Sequence, residues 1–471
     1  MTSLFGAIEV AKRGLLAGQA GLSVTGHNVA NANTPGYSRR VLQLAALGGP
    51  RLPEGILGAG VDVRRIEQVR DRFLDGRILD ARAGLGDARA RAALLAEIEA
   101  TFDDLGGEGL TEALGAFLRS WHDLAVSPES LEVRRAVRDA GAAIASRLNR
   151  LSDGLQDERR VLAELIPSEI ADVNARIARV AEISRRIGIA EGGGAEAGDL
   201  RDERQREIDV LAERVDVNFT EAPNGSFLLR VGGAVVADGE MVIGLTLDGD
   251  PSAAAGEDVV ALSAGGAPVA PRGGTLAAHL DAVNARIPSY LGRLDEIAAG
   301  LADAVNAIHE TGYGLHGGTG IAFFTFDAAG AEGVGLASRG TAGRIRLADA
   351  VSGDPAAIAA SSNGAPGDNA AALAIADLDR ERTLRGGTRT LADLAAEIGG
   401  AVAHDAAEAD FLVDARGAFV TSLENRRDAI SGVSLDEEAV NLVRYQQAYE
   451  AAARVLVVAN EMIATLLEEV R

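Results

Sequence analysis

The sequence predicts a mainly α fold with β insertions: N- and C-terminal helices that pair as a coiled coil, a discontinuous long-helix domain, and an outward β-rich domain. Three observations carry this. Both ends hold apolar residues in a heptad repeat, long amphipathic stretches recur between them, and two segments alternate apolar with polar residues or are rich in glycine. At 471 residues the chain is long enough for about three domains. The expected division is a terminal coiled-coil domain from 1–40 and 431–471, a helical core from 41–214, 275–315 and 366–430, and β-rich outer regions at 215–274 and 316–365.

Near the start, Leu4, Ile8, Ala11, Leu15, Gly18, Leu22, Thr25 and Val29 recur at spacings of four and three, which is a heptad seam. Gly14, Gly18, Gly21 and Gly26 dilute it, each costing about 1 kcal/mol relative to alanine inside a helix. This helix therefore needs a partner. It stops at Asn33-Thr34-Pro35-Gly36-Tyr37, where proline restricts the residue before it and glycine supplies a turn. Residues 64–103, 110–126, 130–187 and 200–214 then read as long amphipathic helices, broken at Gly106-Gly107, Ser127-Pro128 and Gly192-Gly193-Gly194. Residues 215–274 read as hairpins, as in Phe227-Leu228-Leu229-Arg230-Val231 before Gly232-Gly233. Helical periodicity returns over 275–310 and from about 369 to 430. The Gly-rich stretch between them contains a strand at Phe323-Phe324-Thr325-Phe326.

At the far end Leu435, Leu442, Tyr445, Tyr449, Ala452, Leu456, Ala459, Ile463, Leu466 and Val470 keep a seven-residue register. Ser434 is placed to cap this helix and Glu437 to complete a capping box. At 1.5 Å per residue the helix would be about 54 Å long. Neither seam has a local partner, so the economical arrangement pairs the first helix with the last.

Composition excludes several functions. The 46 Lys and Arg against 69 Asp and Glu leave a net charge of −23, the wrong sign for nucleic acid or anionic lipid. With no cysteine there is no disulfide framework, thiolate nucleophile or cysteine zinc site. No apolar run approaches the 18 residues of a membrane span. Lys12 and Arg13 follow Leu4, Phe5 and Ile8 instead of preceding an apolar core, so no cleaved secretion peptide is expected.

Chemical motifs are sparse. Gly312, Gly314 and Gly317 have the spacing of a dinucleotide fingerprint but follow a helix and precede a strand, the reverse of the required order, and read as a loop. Gly21-Leu22-Ser23-Val24-Thr25 falls one residue short of a nucleophile elbow and sits in helix-period sequence. The six histidines form no helical zinc pair, and His309, in a last helical turn, reads as a C-terminal cap. Arg201-Asp202-Glu203-Arg204-Gln205-Arg206-Glu207 reads as a solvated face. A non-enzymatic protein with no catalytic residue, cofactor or metal is expected. The candidate surface is a self-assembly interface formed by Leu4, Ile8, Leu15, Leu22 and Val29 with Leu435, Leu442, Tyr445, Tyr449, Leu456, Ile463 and Leu466. Chain ends fray unless tied down, so seams at both termini favour assembly.

The stretch Asn28-Val29-Ala30-Asn31-Ala32-Asn33-Thr34-Pro35-Gly36-Tyr37 resembles the signature shared by bacterial flagellar rod, hook and hook-associated proteins. Gly58-Ala59-Gly60-Val61-Asp62-Val63, then Ile66, Asp71, Phe73 and Leu74, is similar to the segment that follows it. Gly432-Val433-Ser434-Leu435-Asp436-Glu437-Glu438, Asn441-Leu442 and Tyr445-Gln446-Gln447-Ala448-Tyr449 are similar to the hook-filament junction branch of that family. So are Leu200-Arg201-Asp202 with Arg204 and Leu211, Leu294-Asp295, and Asn306 through His309 to Gly312, Gly317, Gly320 and Phe323-Phe324.

The resemblance implies a structural subunit of the flagellum at the junction of hook and filament. It would be exported unfolded through the flagellar type III channel and would assemble outside the cell through its terminal helices. The implied partners are further copies of itself in a helical ring, the flagellar hook protein, a second junction hook-associated protein on the filament side, and an export chaperone on the C-terminal helix; nucleic acid and membrane insertion are not implied. Two other readings stay open: a flagellar hook or rod subunit, and an exported hydrolase carried on the outer domain.

Overall fold

A computed structural model describes residues 2–49, 51–52, 55–56, 58–102, 109–194, 196–222, 225–239, 241–251, 253, 258–326, 340–365 and 367–469. The chain opens with α1 (Thr2–Ala30), followed by β1 (Arg40–Ala46), the two-residue strands β2 (Arg51–Leu52) and β3 (Gly55–Ile56), and β4 (Val61–Gln68). β1 and β4 pair antiparallel with a register shift between Gln43 and Leu44, and this ribbon lies against α1. The helix expected from residue 64 is corrected here. Residues 61–68 belong to the ribbon, and α2 (Arg72–Phe102) starts later, where Asp71 Oδ1 accepts from the Phe73 and Leu74 N–H groups at 3.0 and 3.1 Å. Alternating Val61 and Val63 suit the strand, and Asp71 is a natural N-cap.

The body follows with α3 (Leu110–Val126), α4 (Leu131–Glu191) and α5 (Gly198–Arg214). The expected breaks at Ser127-Pro128 and Gly192-Gly193-Gly194 end α3 and α4, while Gly106-Gly107 lies outside the described residues. Ser130 caps α4 by accepting from the Val133 N–H at 3.4 Å. Strands β5 (Val217–Glu221), β6 (Phe227–Val231), β7 (Ala234–Asp238) and β8 (Met241–Val242) form an antiparallel meander, and β9 (Thr246–Asp248), β10 (Ala261–Ala264) and β11 (Ala267–Val269) form a three-stranded sheet. Gly232 and Gly233 take φ of 54° and 85° in the β6–β7 turn, a region open to glycine.

The single helix expected over 275–310 is divided into α6 (Thr275–Asp281), a wide π turn at Ala282–Arg286, and α7 (Ile287–His309). The turn carries Asn284, whose side chain accepts from the Val260 N–H at 2.9 Å and donates to the Val260 C=O at 2.7 Å. β12 (Phe324–Phe326) pairs with β13 (Ile345–Leu347), followed by α8 (Asp349–Gly353) and α9 (Ala370–Ala376). The helical stretch expected from 369 to 430 is likewise interrupted: Gly386 and Gly387, with φ of 68° and 81°, turn the chain before α10 (Leu391–Ser431). α10 starts with a full capping box between Thr390 and Asp393. The last helix is α11 (Leu435–Glu469), and Val470 of the expected seam lies outside the described residues.

A main hydrophobic core runs through the body, with a small separate cluster of Leu74, Ile78 and Leu423 between α2 and α10. Trp121, Phe117, Phe323 and Phe324 pack ring to ring at its centre, with centroid separations of 4.8–6.2 Å between contacting rings. Leu229, Val231, Val236 and Leu262 from the strands belong to the same core. Among the described residues, none of α1, β1–β4 or α11 does. The terminal helices stand apart from the body's core, packed on each other.

Candidate assembly surface on the paired terminal helices

α1 and α11 run antiparallel, and the glycines of α1 set how closely they approach. A methyl at Gly14 would stand 3.1 Å from Ala452 Cβ, one at Gly18 3.1 Å from Tyr449 Cβ, and one at Gly21 would overlap the Tyr445 ring. The glycines that weaken α1 as an isolated helix thus form the flat face on which both tyrosines rest. This moves the seam on α1. Its closest line passes through Gly14, Gly18 and Gly21, with Ala11, Thr25 and Asn28 also buried. Leu4, Ile8, Leu15 and Leu22 are only half-buried, and Val29 is exposed.

On α11, Tyr445, Leu456 and Ile463 are half-buried, while Leu435, Leu442, Tyr449 and Leu466 are exposed. Beyond the expected positions, Val440, Val455, Val457, Val458 and Met462 are exposed too. Leu4 and Ala7 join Val455, Val458, Ala459 and Met462 around an apolar depression between the helices. Two helices close on a glycine face use little of their apolar surface, so a large remainder faces outward. These exposed apolar side chains make the helix pair the candidate assembly surface.

The signature after α1 builds the base of this pair. Asn28 is 1% exposed, and its side chain brackets Arg40 by accepting from the N–H at 3.0 Å and donating to the C=O at 2.9 Å. Asn28 Oδ1 also accepts from the Tyr37 hydroxyl at 2.7 Å, and burial pushes that hydroxyl up to about 12. Asn31 donates to the His27 C=O at 2.9 Å and accepts from Thr34 Oγ1 at 3.3 Å. Gly36 turns with φ of 75° against Arg206, and Asn33 and Pro35 are exposed. At α11, Ser434 Oγ accepts from the Glu437 N–H at 3.4 Å, but Glu437 does not close the box: its carboxylate accepts from Arg39 Nη1 at 2.6 Å. Asn441 is half-buried, while Asp436, Gln446 and Gln447 point outward.

Sequence reasoning missed a recurring device. Asn174 brackets Leu245 as Asn28 does Arg40, at 2.7 and 2.9 Å, and Asn284 does the same for Val260. Asn306 accepts from the Phe323 and Phe324 N–H groups and donates to the Phe324 C=O at 2.8–3.0 Å. In each case a helix supplies one amide that satisfies the backbone of an extended segment. An isolated asparagine within a helical pattern gives no periodic signal of this.

The expected solvated run at 201–207 is also corrected, since Asp202 and Arg204 are buried. Gly312, Gly314 and Gly317 form the loop after α7, where the Gly312 N–H returns to Ile308 O at 3.1 Å. Ser23 is an exposed residue of α1. Among the described residues no group of His, Cys, Asp and Glu is arranged to hold a metal ion, and no helix is long and apolar enough to cross a membrane.

His309 is not the terminal cap expected. It is buried between Trp121 and Phe323, with Nδ1 donating to Ile321 O at 2.6 Å and Nε2 accepting from the Ala359 N–H at 2.9 Å. Burial lowers its pKa from 6.5 to about 4. Above pH 6.5 the ring is neutral folded or unfolded; below it the unfolded chain takes up the proton first. Stability is therefore lost as pH falls from 6.5 toward 4, by about 3 kcal/mol in total. His309→Gln can keep both hydrogen bonds without titrating. Its urea denaturation should lose about 3 kcal/mol less than the parent's on acidification; equal losses would refute the assignment.

The chain is similar to proteins of the bacterial flagellum along most of its length. Residues 95–324 match the family described as the flagellar hook-associated protein FlgK helical domain. Residues 427–469 match the C-terminal domain of flagellar basal body rod FlgEFG proteins, and 8–37 the flagella basal body rod protein family. Flagellar hook-associated protein 1 of Bacillus subtilis is 30% identical over 98% of both chains. That of Escherichia coli is 23% identical over 98% of this chain and 99% of its own. In three dimensions the flagellar hook junction protein FlgK of Burkholderia pseudomallei matches with a TM-score of 0.64 and 13% identity, covering 76% of this chain and all of that one, a likeness of fold.

Proposed function

Because the chain belongs to the flagellar hook-associated protein 1 family, we propose that it is a structural subunit of the flagellum outside the cell, forming the junction between hook and filament through α1 and α11. The observation that carries this reading is the apolar surface left outward on that pair, including Val455, Val457, Val458 and Met462, apart from the body's core. In this reading residues 1–40 and 431–471 are the assembly domain, extended by the 40–68 ribbon that lies on α1; 69–214, 275–315 and 366–430 are the helical core; and 215–274 and 316–365 are β-containing insertions whose inner side chains share that core.

The subunit packs with copies of itself in a helical ring. It meets the hook protein on one side and the second junction hook-associated protein on the other, and an export chaperone covers α11 before assembly. Leu4, Ile8, Leu15, Leu22 and Val29 with the α11 residues supply the contacts, and the outward Asp436, Gln446 and Gln447 are free to address partners. No catalysis is assigned to it. The contacts are heterologous, since a ring requires two different faces of each copy. The test is deletion: cells lacking the chain should complete hooks yet carry no filaments, with export of filament subunits into the medium intact. Loss of the hooks themselves would instead assign it to hook or rod.

A further inference from the structure

The body's hydrophobic core stops short of the terminal pair, so something else must set the angle at which that pair leaves the body. The described contacts across the boundary are mainly polar and converge on the first turns of α5. Asp202 there is 3% exposed. Its Oδ2 accepts from the Ser38 N–H at 3.4 Å and its Oδ1 from Gln68 Nε2 at 2.8 Å. Ser38 lies on the segment between α1 and β1 and Gln68 ends β4, so one carboxylate ties two segments of the terminal unit to the body; the other link is the short α10–α11 junction, where the Arg39 N–H donates to Ser431 O at 2.8 Å. Gln68 Nε2 also donates to Gly198 O at 3.1 Å, its backbone N–H donates to Glu196 Oε2 at 3.2 Å, and its Oε1 is buried without a partner among the described residues. That amide is held for its donor side.

The neighbouring residues grip the body. Arg201 donates to Glu191 at the end of α4 at 2.7 and 2.8 Å and to Glu221 on β5 at 2.8 Å, and Arg204 adds two bonds to Glu221 at 3.0 and 3.1 Å. Leu200-Arg201-Asp202 with Arg204 is thus a joint whose arginines hold the body and whose aspartate holds the terminal pair. Burying a carboxylate costs free energy that apolar packing would avoid, and burial pushes the Asp202 carboxyl up from its ordinary value. Such a group is better suited to fixing a geometry than to adding stability.

We infer that Asp202 is a positioning residue that fixes the angle between the α1/α11 pair and the helical body. Its consequence for assembly rests on the reading above; the angle itself does not. The chain has no cysteine, so introduced ones are unique. Spin labels at Gln19→Cys on α1 and Ile189→Cys on α4, both exposed, report the angle as a distance distribution in the purified full chain. A pair at Ala143→Cys and Ile189→Cys, both on α4, controls for changes within the body.

Asp202→Ala should make the first distribution about twofold broader, as expected when a low-stability contact is released. The control pair should stay unchanged. Gln68→Ala, which leaves α5 intact, should broaden it as well and decides the matter if Asp202→Ala does not fold. Unchanged distributions in folded variants overturn the inference. Failure of the assembly reading would appear instead in the deletion phenotype, with these distances unaffected.

Discussion

Aspartate at both Tyr449 and Leu456 should abolish incorporation of the chain into flagella and leave its body folded. Tyr449 rests on Gly18 with 40% of its surface outward, and Leu456 lies half-buried on the same helix. In an assembled ring each copy would bury two carboxylates with no cation beside them, at several kcal/mol per charge, and the penalty repeats in every copy. The chain already carries a net charge of −23, so added negative charge also raises repulsion between copies. Trp121, the only tryptophan, is fully buried in the body, so its fluorescence reports the body alone. Electron microscopy should show hooks without filaments, while the Trp121 unfolding curve stays at the parent midpoint. Normal filaments would remove α11 from the assembly surface.

Asn28→Ala should destabilise the base of the terminal pair by about 3 kcal/mol. The buried amide satisfies the Arg40 N–H, the Arg40 C=O and the Tyr37 hydroxyl, and alanine leaves all three without their partner. These groups lie outside the body's core, so the loss should be local. Hydrogen exchange of α1, β1 and β4 should accelerate by roughly a hundredfold, which is what about 3 kcal/mol gives, with α3 and α4 unchanged. Exchange rising equally throughout would show that the terminal pair and the body unfold as one unit, and exchange rising nowhere would deny Asn28 its role.

Elements with a strong period were legible in the sequence. The terminal helices, the helices at 110–126 and 200–214 and the strand at Phe324–Phe326 lie within a few residues of where apolar spacing puts them, because that spacing is itself the cause of their burial. Three features were hidden for physical reasons. The ribbon at 61–68 is short and runs directly into α2, so its alternation merges with the helical pattern. The glycines of α1 look like defects until a second helix is laid against them; their value lies in the tyrosines 424 and 431 positions away, at Gly21 to Tyr445 and Gly18 to Tyr449. The Asn28, Asn174, Asn284 and Asn306 amides and His309 act on backbone groups distant in sequence. No composition or period predicts which extended segment will pass them. The resemblance marked Asn28, Asn306, Asp202 and His309 as family positions, but their work became visible only in three dimensions.

Assembly should cover the outward apolar side chains of α11. This is tested most directly by the thiol reactivity of Val457→Cys, a position 55% exposed in the free chain. In a cysteine-free background, a maleimide should label this thiol quickly in the purified chain and about a hundredfold more slowly in intact flagella, as burial against a neighbouring helix requires. Equal labelling rates in the two would contradict the account, because α11 would then be as open in the flagellum as it is alone.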